Sequence, residues 1–348
     1  MPPCPRRDER SMKKGFDVRA AVGQLVIISI PGDGWNGEVE QLIAERKAGG
    51  FILFRENIPA TLGALKKFTG RIKKEAVRHT GIIPFISVDE EGGRVSRLKT
   101  LIGEHPAPMP LARKGIKAVE KNYAALARKV KGAGFNVTWA PVLDINTNPK
   151  NPVIGDRAFS AETEEVVACG RAALRALRKG GLFTQAKHYP GHGDTPVDSH
   201  LDLPAMDTPL SVMRGRELLP FKMAAREKAD FFMTAHIHFT KVEKKLPATF
   251  SKKFLHAVAR NELGYKGIIV TDDLNMNAVK ANYGMEERIR LAMNAGADML
   301  LIRDSHQNIL GFLDIFERLV RDGKIAPSRI KESLARVRRV KRAAANRK

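Results

Sequence analysis

Between residues 187 and 200 the chain places three histidines, two aspartates and a lysine, punctuated by two glycines and two prolines. Imidazole and carboxylate groups together hold, move and orient protons near neutral pH, the working set of acid–base and nucleophilic catalysis. Proline withholds a backbone donor and glycine loosens the chain. The run is therefore expected to be an ordered loop that leaves a buried strand at 182–186. Asp198 and His200 stand two apart, a spacing that lets a carboxylate reach a neighbouring imidazole and fix its tautomer. Asp272 follows the apolar run Ile268-Ile269-Val270-Thr271. A carboxylate there is either an acceptor for loop amides or a nucleophile kept ionised by cations such as Lys187 and Arg157. Asp273 is expected on the opposite face, in a structural role.

Such groups need elements to position them. Apolar, strand-like runs recur at 25–30, 50–54, 84–88, 135–143, 182–186, 231–235, 267–271 and 299–302. Helix-like segments separate them at 38–47, 62–78, 119–132, 162–179, 212–228, 252–262, 286–295 and 307–321. This alternation predicts one α/β domain, a (β/α)8 TIM barrel. A doubly wound open sheet is the alternative, but Pro31-Gly32-Asp33-Gly34-Trp35 does not supply the phosphate-binding glycines after the first strand. On a barrel, polar residues gather at strand ends: Asp89, Glu90, Glu91, Arg94 and Arg97; Asp144, Asn146 and Arg157; Lys187 and His188; His236 and His238; Asp272 and Asp273. Any one of these is readily a structural charge. Five strand ends converging on one face point to an active site.

Residues 1–15 are expected to be a flexible basic extension, and 16–348 the barrel with a C-terminal amphipathic helix. Ile330, Leu334, Val337 and Val340 recur there at helical spacing, which leaves the cations of the tail solvated. The formal net charge is +22, so the surface is either strongly solvated or attractive to a polyanion. Neither zinc-finger spacing nor an RNA-binding aromatic signature is present, so no dedicated nucleic-acid module is expected. Cys4 and Cys169 form no disulfide framework. No run is long and apolar enough for a transmembrane helix. The apolar stretch 20–30 is interrupted by Gln24 and suits a first strand better than a signal peptide. A cytoplasmic monomer is expected.

Four separated segments resemble glycoside hydrolase family 3, specifically its β-N-acetylglucosaminidases. They are Val88-Asp89-Glu90-Glu91-Gly92-Gly93-Arg94-Val95-Ser96-Arg97, Asn151-Pro152-Val153-Ile154-Gly155-Asp156-Arg157-Ala158-Phe159, residues 187–200, and Thr271-Asp272-Asp273-Leu274-Asn275-Met276. The departures are small: Tyr189 replaces a frequent Phe, and Glu90 stands where Gln is common. The resemblance implies removal of terminal β-linked N-acetylglucosamine with retention of configuration. It implies Asp272 as nucleophile, His200 as acid/base and Asp198 as its dyad partner, where the usual retaining design has two carboxyls. Asp89, Arg97, Arg157, Lys187 and His188 match sugar-binding positions. No cofactor or metal is implied. Compact members of the family act in cell-wall recycling, on N-acetylglucosamine linked to 1,6-anhydro-N-acetylmuramic acid with or without its peptide.

Two other readings compete. A metal-dependent hydrolase on the same barrel would use His188, His192, His200, His236 and His238 with Asp272 as ligands. Barrels of that type carry a His-x-His pair on the first strand, which this chain lacks. A non-enzymatic polyanion binder would account for the charge but not for the acid/base, nucleophile and binding set.

Overall fold

The computed structural model describes residues 16–195 and 202–345. At its centre are eight short parallel strands. They are β1 (Val26–Ser29), β2 (Gly50–Leu53), β3 (Phe85–Val88), β4 (Val137–Thr138), β5 (Gln185–Tyr189), β6 (Phe231–Thr234), β7 (Ile268–Asp273) and β8 (Met299–Ile302). They neighbour one another in chain order, and β8 returns to pair with β1. Isolated parallel bridges, Val137 to Phe183 and Val142 to Lys187, close the ring between β4 and β5. The fold is the expected (β/α)8 barrel.

The strands are apolar because helices cover one face and packed side chains fill the other. Phe85, Phe183, Phe231 and Trp139, from four places around the ring, meet edge to face with centroids 4.9 to 6.3 Å apart. Outside run α1 (Gly37–Ala44), α2 (Leu62–Thr80), α3 (Ile116–Gly132), α4 (Thr163–Lys179), α5 (Leu218–Arg226), a π-helix at Lys253–Glu262, α6 (Met285–Ala295), α7 (His306–Arg321) and α8 (Pro327–Ala345). Asn36, Thr61 and Ser305 cap α1, α2 and α7 by accepting from backbone amides three residues on. Ile330, Leu334, Val337 and Val340 of α8 are buried.

Sequence periodicity misplaced some boundaries. The strand expected at 182–186 runs instead through Tyr189, so Lys187 and His188 lie on β5 and the loop begins at Pro190. The sheet ladder tolerates these polar residues because the barrel interior supplies their partners. The segment expected as one helix at 212–228 is split into Leu210–Gly215 and α5. The fourth strand shrinks to two residues. At the floor, Asp298 just before β8 takes Arg260, Arg329 and Arg336 at 2.5, 2.9 and 2.6 Å, which locks α8 and the turn before β7 to the barrel.

Candidate active site

A cavity of about 200 Å³ opens at the carboxyl ends of the strands. Asp89, Arg97, Arg157, Lys187, His188 and Asp272 all line it. Six of the eight residues singled out from the sequence thus surround one space. Asp198 and His200 lie outside the described residues.

Each wall has a local cause. After β3 the chain turns through a hairpin, Glu90–Gly92 against Val95–Ser96, which returns Arg97 beside Asp89. The Arg97 amide donates to the Asp89 carbonyl at 3.3 Å. Among the described residues the buried Arg97 Nε has no hydrogen-bond partner, nor has the indole Nε1 of Trp139 in the same lining. Glu90 is fully buried and accepts from the Ser96 hydroxyl and from the Leu98 amide at 2.7 Å. Burial raises its carboxyl above the ordinary value, and those hydrogen bonds offset only part of that.

Glu91 is the hub that sequence reading left unassigned. It is 1% exposed and grips the Arg157 guanidinium through two bonds of 2.8 and 2.9 Å. It also takes Lys187 Nζ at 2.5 Å, while Lys187 reaches Asp89 at 3.2 Å. Burial alone would raise the Glu91 carboxyl; the charges of Arg157 and Lys187 overcome it and hold the group well below the usual carboxylate range. An unpaired carboxylate here would cost several kcal/mol, so the two cations are held firmly where they face the cavity. Lys187 and Arg157, expected beside Asp272, share its cavity with Glu91 as their common partner.

Asp144, also unassigned, organises the fifth strand end. It is fully buried and accepts from the His188 amide at 3.1 and 3.2 Å, the His192 amide at 2.7 Å and His188 Nδ1 at 2.7 Å. Burial opposes its ionisation, but His188 more than compensates and the carboxyl sits below its ordinary value. Donation from Nδ1 to Asp144 leaves Nε2 as the His188 atom that can meet a ligand. Burial, and then His188, push His192 down to about 4, so its ring is neutral. Asn151 ties this loop to the next by donating to the His192 carbonyl at 2.9 Å while accepting from the Val153 and Ile154 amides. At Gly193 the loop presses against β4's extension: a Cβ there would lie 1.7 Å from the Ile145 carbonyl oxygen.

Asp272 is the penultimate residue of β7, half-buried, and its Oδ1 accepts from the Asp273 amide at 2.8 Å. Asp273, expected on the opposite face, lines the same cavity because the strand end is irregular there, and its Oδ1 accepts from the Asn275 and Arg303 amides at 2.9 and 3.0 Å. Burial pushes its carboxyl up to about 6. His236 and His238, expected on the sixth strand, lie beyond it, since β6 stops at Thr234. His236 Nε2 donates to the Asp273 carbonyl at 3.0 Å, with Nδ1 against Thr249 Oγ1 at 2.9 Å. His238 does not pack inside the barrel: it pairs with Ala205 on a two-strand ribbon and donates to the Glu243 carbonyl. Among the described residues no cluster of three or more His, Cys, Asp or Glu side chains is arranged to hold a metal ion.

A carboxylate facing a ring of fixed donors and cations is suited to a polyhydroxylated ligand that is attacked at one carbon. Residues 17–340 match the glycosyl hydrolase family 3 N terminal domain. The chain belongs to glycosyl hydrolase family 3. The expectation of a glycoside hydrolase of the β-N-acetylhexosaminidase type stands with this family membership and with the relatives. Beta-hexosaminidase of Neisseria meningitidis serogroup C (strain 053442) is 35% identical over 286 residues, 80% of this chain and 77% of that protein. Beta-hexosaminidase A of Pseudoalteromonas piscicida is 31% identical over 355 aligned positions, covering 95% of this chain but 58% of the relative's length. A solved glycoside hydrolase family 3 beta-N-acetylglucosaminidase from Paenibacillus sp. str. FPU-7 superposes with a TM-score of 0.92 at 35% identity, over 95% of this chain and 63% of that one. Among the described residues no helix is long and apolar enough to cross a membrane.

Proposed function

We propose that this family 3 chain is a retaining exo-β-N-acetylglucosaminidase. In this reading it removes terminal N-acetylglucosamine from peptidoglycan fragments, with 1,6-anhydro-N-acetylmuramic acid, bearing peptide or not, as the leaving group. It works as a monomer in the cytoplasm, without a cofactor. The observation that carries the reading is the convergence of Asp272 with Asp89, Arg97, Arg157, Lys187 and His188 around one cavity. Relatives named beta-hexosaminidase and beta-N-acetylglucosaminidase support the sugar assignment.

Asp272 attacks the anomeric carbon while His200, oriented by Asp198, protonates the departing oxygen. The C1–oxygen bond to the aglycone breaks as the C1–carboxylate bond forms. His200 then takes a proton from water, whose oxygen displaces Asp272 and restores the original configuration. Glu91 holds Lys187 and Arg157 toward the sugar's oxygens, and Asp144 presents His188 Nε2. These groups are in place before substrate arrives, so little reorganisation is required at the transition state.

Hydrolysis of a chromogenic β-N-acetylglucosaminide by wild type, Asp272→Ala and His200→Ala tests the reading. Asp272→Ala is expected to lower kcat/KM by ~10³-fold or more. His200→Ala is expected to lose ~10²–10⁴-fold with a leaving group that needs a proton, and much less with one that does not. A fluorosugar that traps the glycosyl-enzyme should label Asp272. A label mapped to another side chain overturns the mechanism.

A further inference from the structure

Cations collect in the last turns of the barrel helices, at the floor, where the helix dipole favours them. Lys131, Lys179, Arg226, Lys228, Lys266 and Arg339 are all exposed there, and among the described residues none has a carboxylate partner.

Lys131 Nζ reaches over to Gly181 at the end of α4. Arg178 bonds the Glu227 and Lys228 carbonyls, joining α4 to the end of α5. Arg339 of α8 donates to the Lys266 carbonyl, which joins the C-terminal helix to the turn before β7. The cations therefore form one continuous arc. Its nearest acids are spent: Glu227 is held by Arg175 through bonds of 3.0 and 2.8 Å, and buried Asp230 accepts from Thr184. Between Arg226, Lys228, Lys266 and Arg339 lies a groove of about 470 Å³, floored by Ala225, Ala229, Val340 and Ala343.

We propose that this end of the barrel docks on the anionic surface of a phospholipid bilayer. Headgroup phosphates meet the arc of cations, and the aliphatic groove takes the glycerol and upper acyl atoms of a lipid. Six cations drawn from five segments around a rim act together only on an extended anionic plane. A single-stranded nucleic acid would want aromatic platforms, and the one aromatic ring lining the groove among the described residues, Tyr265, is 1% exposed and stacked on Phe232 at 3.6 Å. Docked this way, the cavity at the opposite end faces the aqueous phase and stays open to soluble substrate.

Co-sedimentation of the full chain with vesicles tests this. The protein should bind vesicles of mixed phosphatidylglycerol and phosphatidylcholine, not phosphatidylcholine alone, and release as salt rises above ~0.3 M. The triple variant Lys228→Glu, Lys266→Glu, Arg339→Glu should bind about a hundredfold more weakly, roughly fivefold for each cation lost. Its hydrolysis of a soluble β-N-acetylglucosaminide should match wild type, and its thermal midpoint should fall by no more than the loss of the single Arg339–Lys266 bond accounts for. A control with the same charge exchange on the outer face of α2, Lys66→Glu, Lys67→Glu, Lys73→Glu, should retain most binding. Failure of wild type to bind anionic vesicles at low salt overturns the proposal. So does equal loss in both triple variants, which would reflect net charge alone. Displacement of the vesicles by a DNA duplex at matched phosphate concentration would also overturn it, in favour of a nucleic-acid partner.

Discussion

Glu91 at the mouth of the barrel and Asp298 at its floor are both buried carboxylates ringed by cations. Around Glu91 the cations come from a short turn and from β5, and both also line the cavity. Lys187 keeps a second contact with Asp89, which a sugar hydroxyl can share. Around Asp298 the cations also bind other segments of the chain. Arg329 also bonds the Met293, Gly296 and Ala297 carbonyls, and Arg260 bonds those of Tyr265 and Gly267. One arrangement leaves donors facing open space; the other turns its donors to holding segments together. The same chemistry thus serves recognition at one end and cohesion at the other, and what differs is whether a cavity adjoins it.

Three substitutions would break or sharpen that contrast. Asp298→Ala leaves three guanidinium groups without their shared anion and should cost ~3–5 kcal/mol of stability, read from urea denaturation. The fraction that remains folded should keep the wild-type KM. A raised KM would mean that the floor is coupled to the site. Glu91→Gln removes the anion that fixes Arg157 and Lys187. It should raise KM by ~10–100-fold, about 1.4–2.8 kcal/mol, with a smaller loss of stability than Asp298→Ala. An unchanged KM would place Glu91 with Asp298 as a purely structural group.

The smallest expected effect concerns Lys341, whose Nζ lies 4.5 Å from the Phe85 ring and donates to the Gly49 carbonyl at 3.0 Å. Burial pushes it down to about 7 from an ordinary value of 10.5. Between those values the unfolded chain keeps a proton that the folded chain sheds, so stability climbs with pH across that window and is lowest below it. Lys341→Met should stabilise the protein by ~1–2 kcal/mol near pH 7 and by little near pH 10. A gain that does not shrink as pH rises would show that the ammonium is not the source of the cost.

The barrel was legible because each strand is an apolar run of ordinary length and each helix an amphipathic stretch, periodicities that burial imposes locally. The candidate site was legible because carboxylates, imidazoles and cations at successive strand ends have few structural reasons to recur together, and six of the residues so named line one cavity. Glu91 and Asp144 were not assigned, although Glu91 stands in one of the motifs and Asp144 at the end of the expected fourth strand. Nothing in a string of residues distinguishes an acid that meets substrate from one that braces a neighbour. Lys187 and His188 were read as loop because prolines and glycines follow them, yet the strand extends through both, and Glu91 and Asp144 from other segments offset the cost of burying them.

Periodicity, acting through near-neighbour physics, was enough to determine the barrel and the face on which the polar residues gather, and the four motif segments carried the family resemblance. Only the tertiary structure decided which charges pair. Arg157 meets Glu91 across 66 residues, Lys187 meets Asp89 across 98, and Arg336 meets Asp298 across 38. Coulomb attraction and desolvation depend on distance in space and on burial, and neither is set until the ring of strands closes.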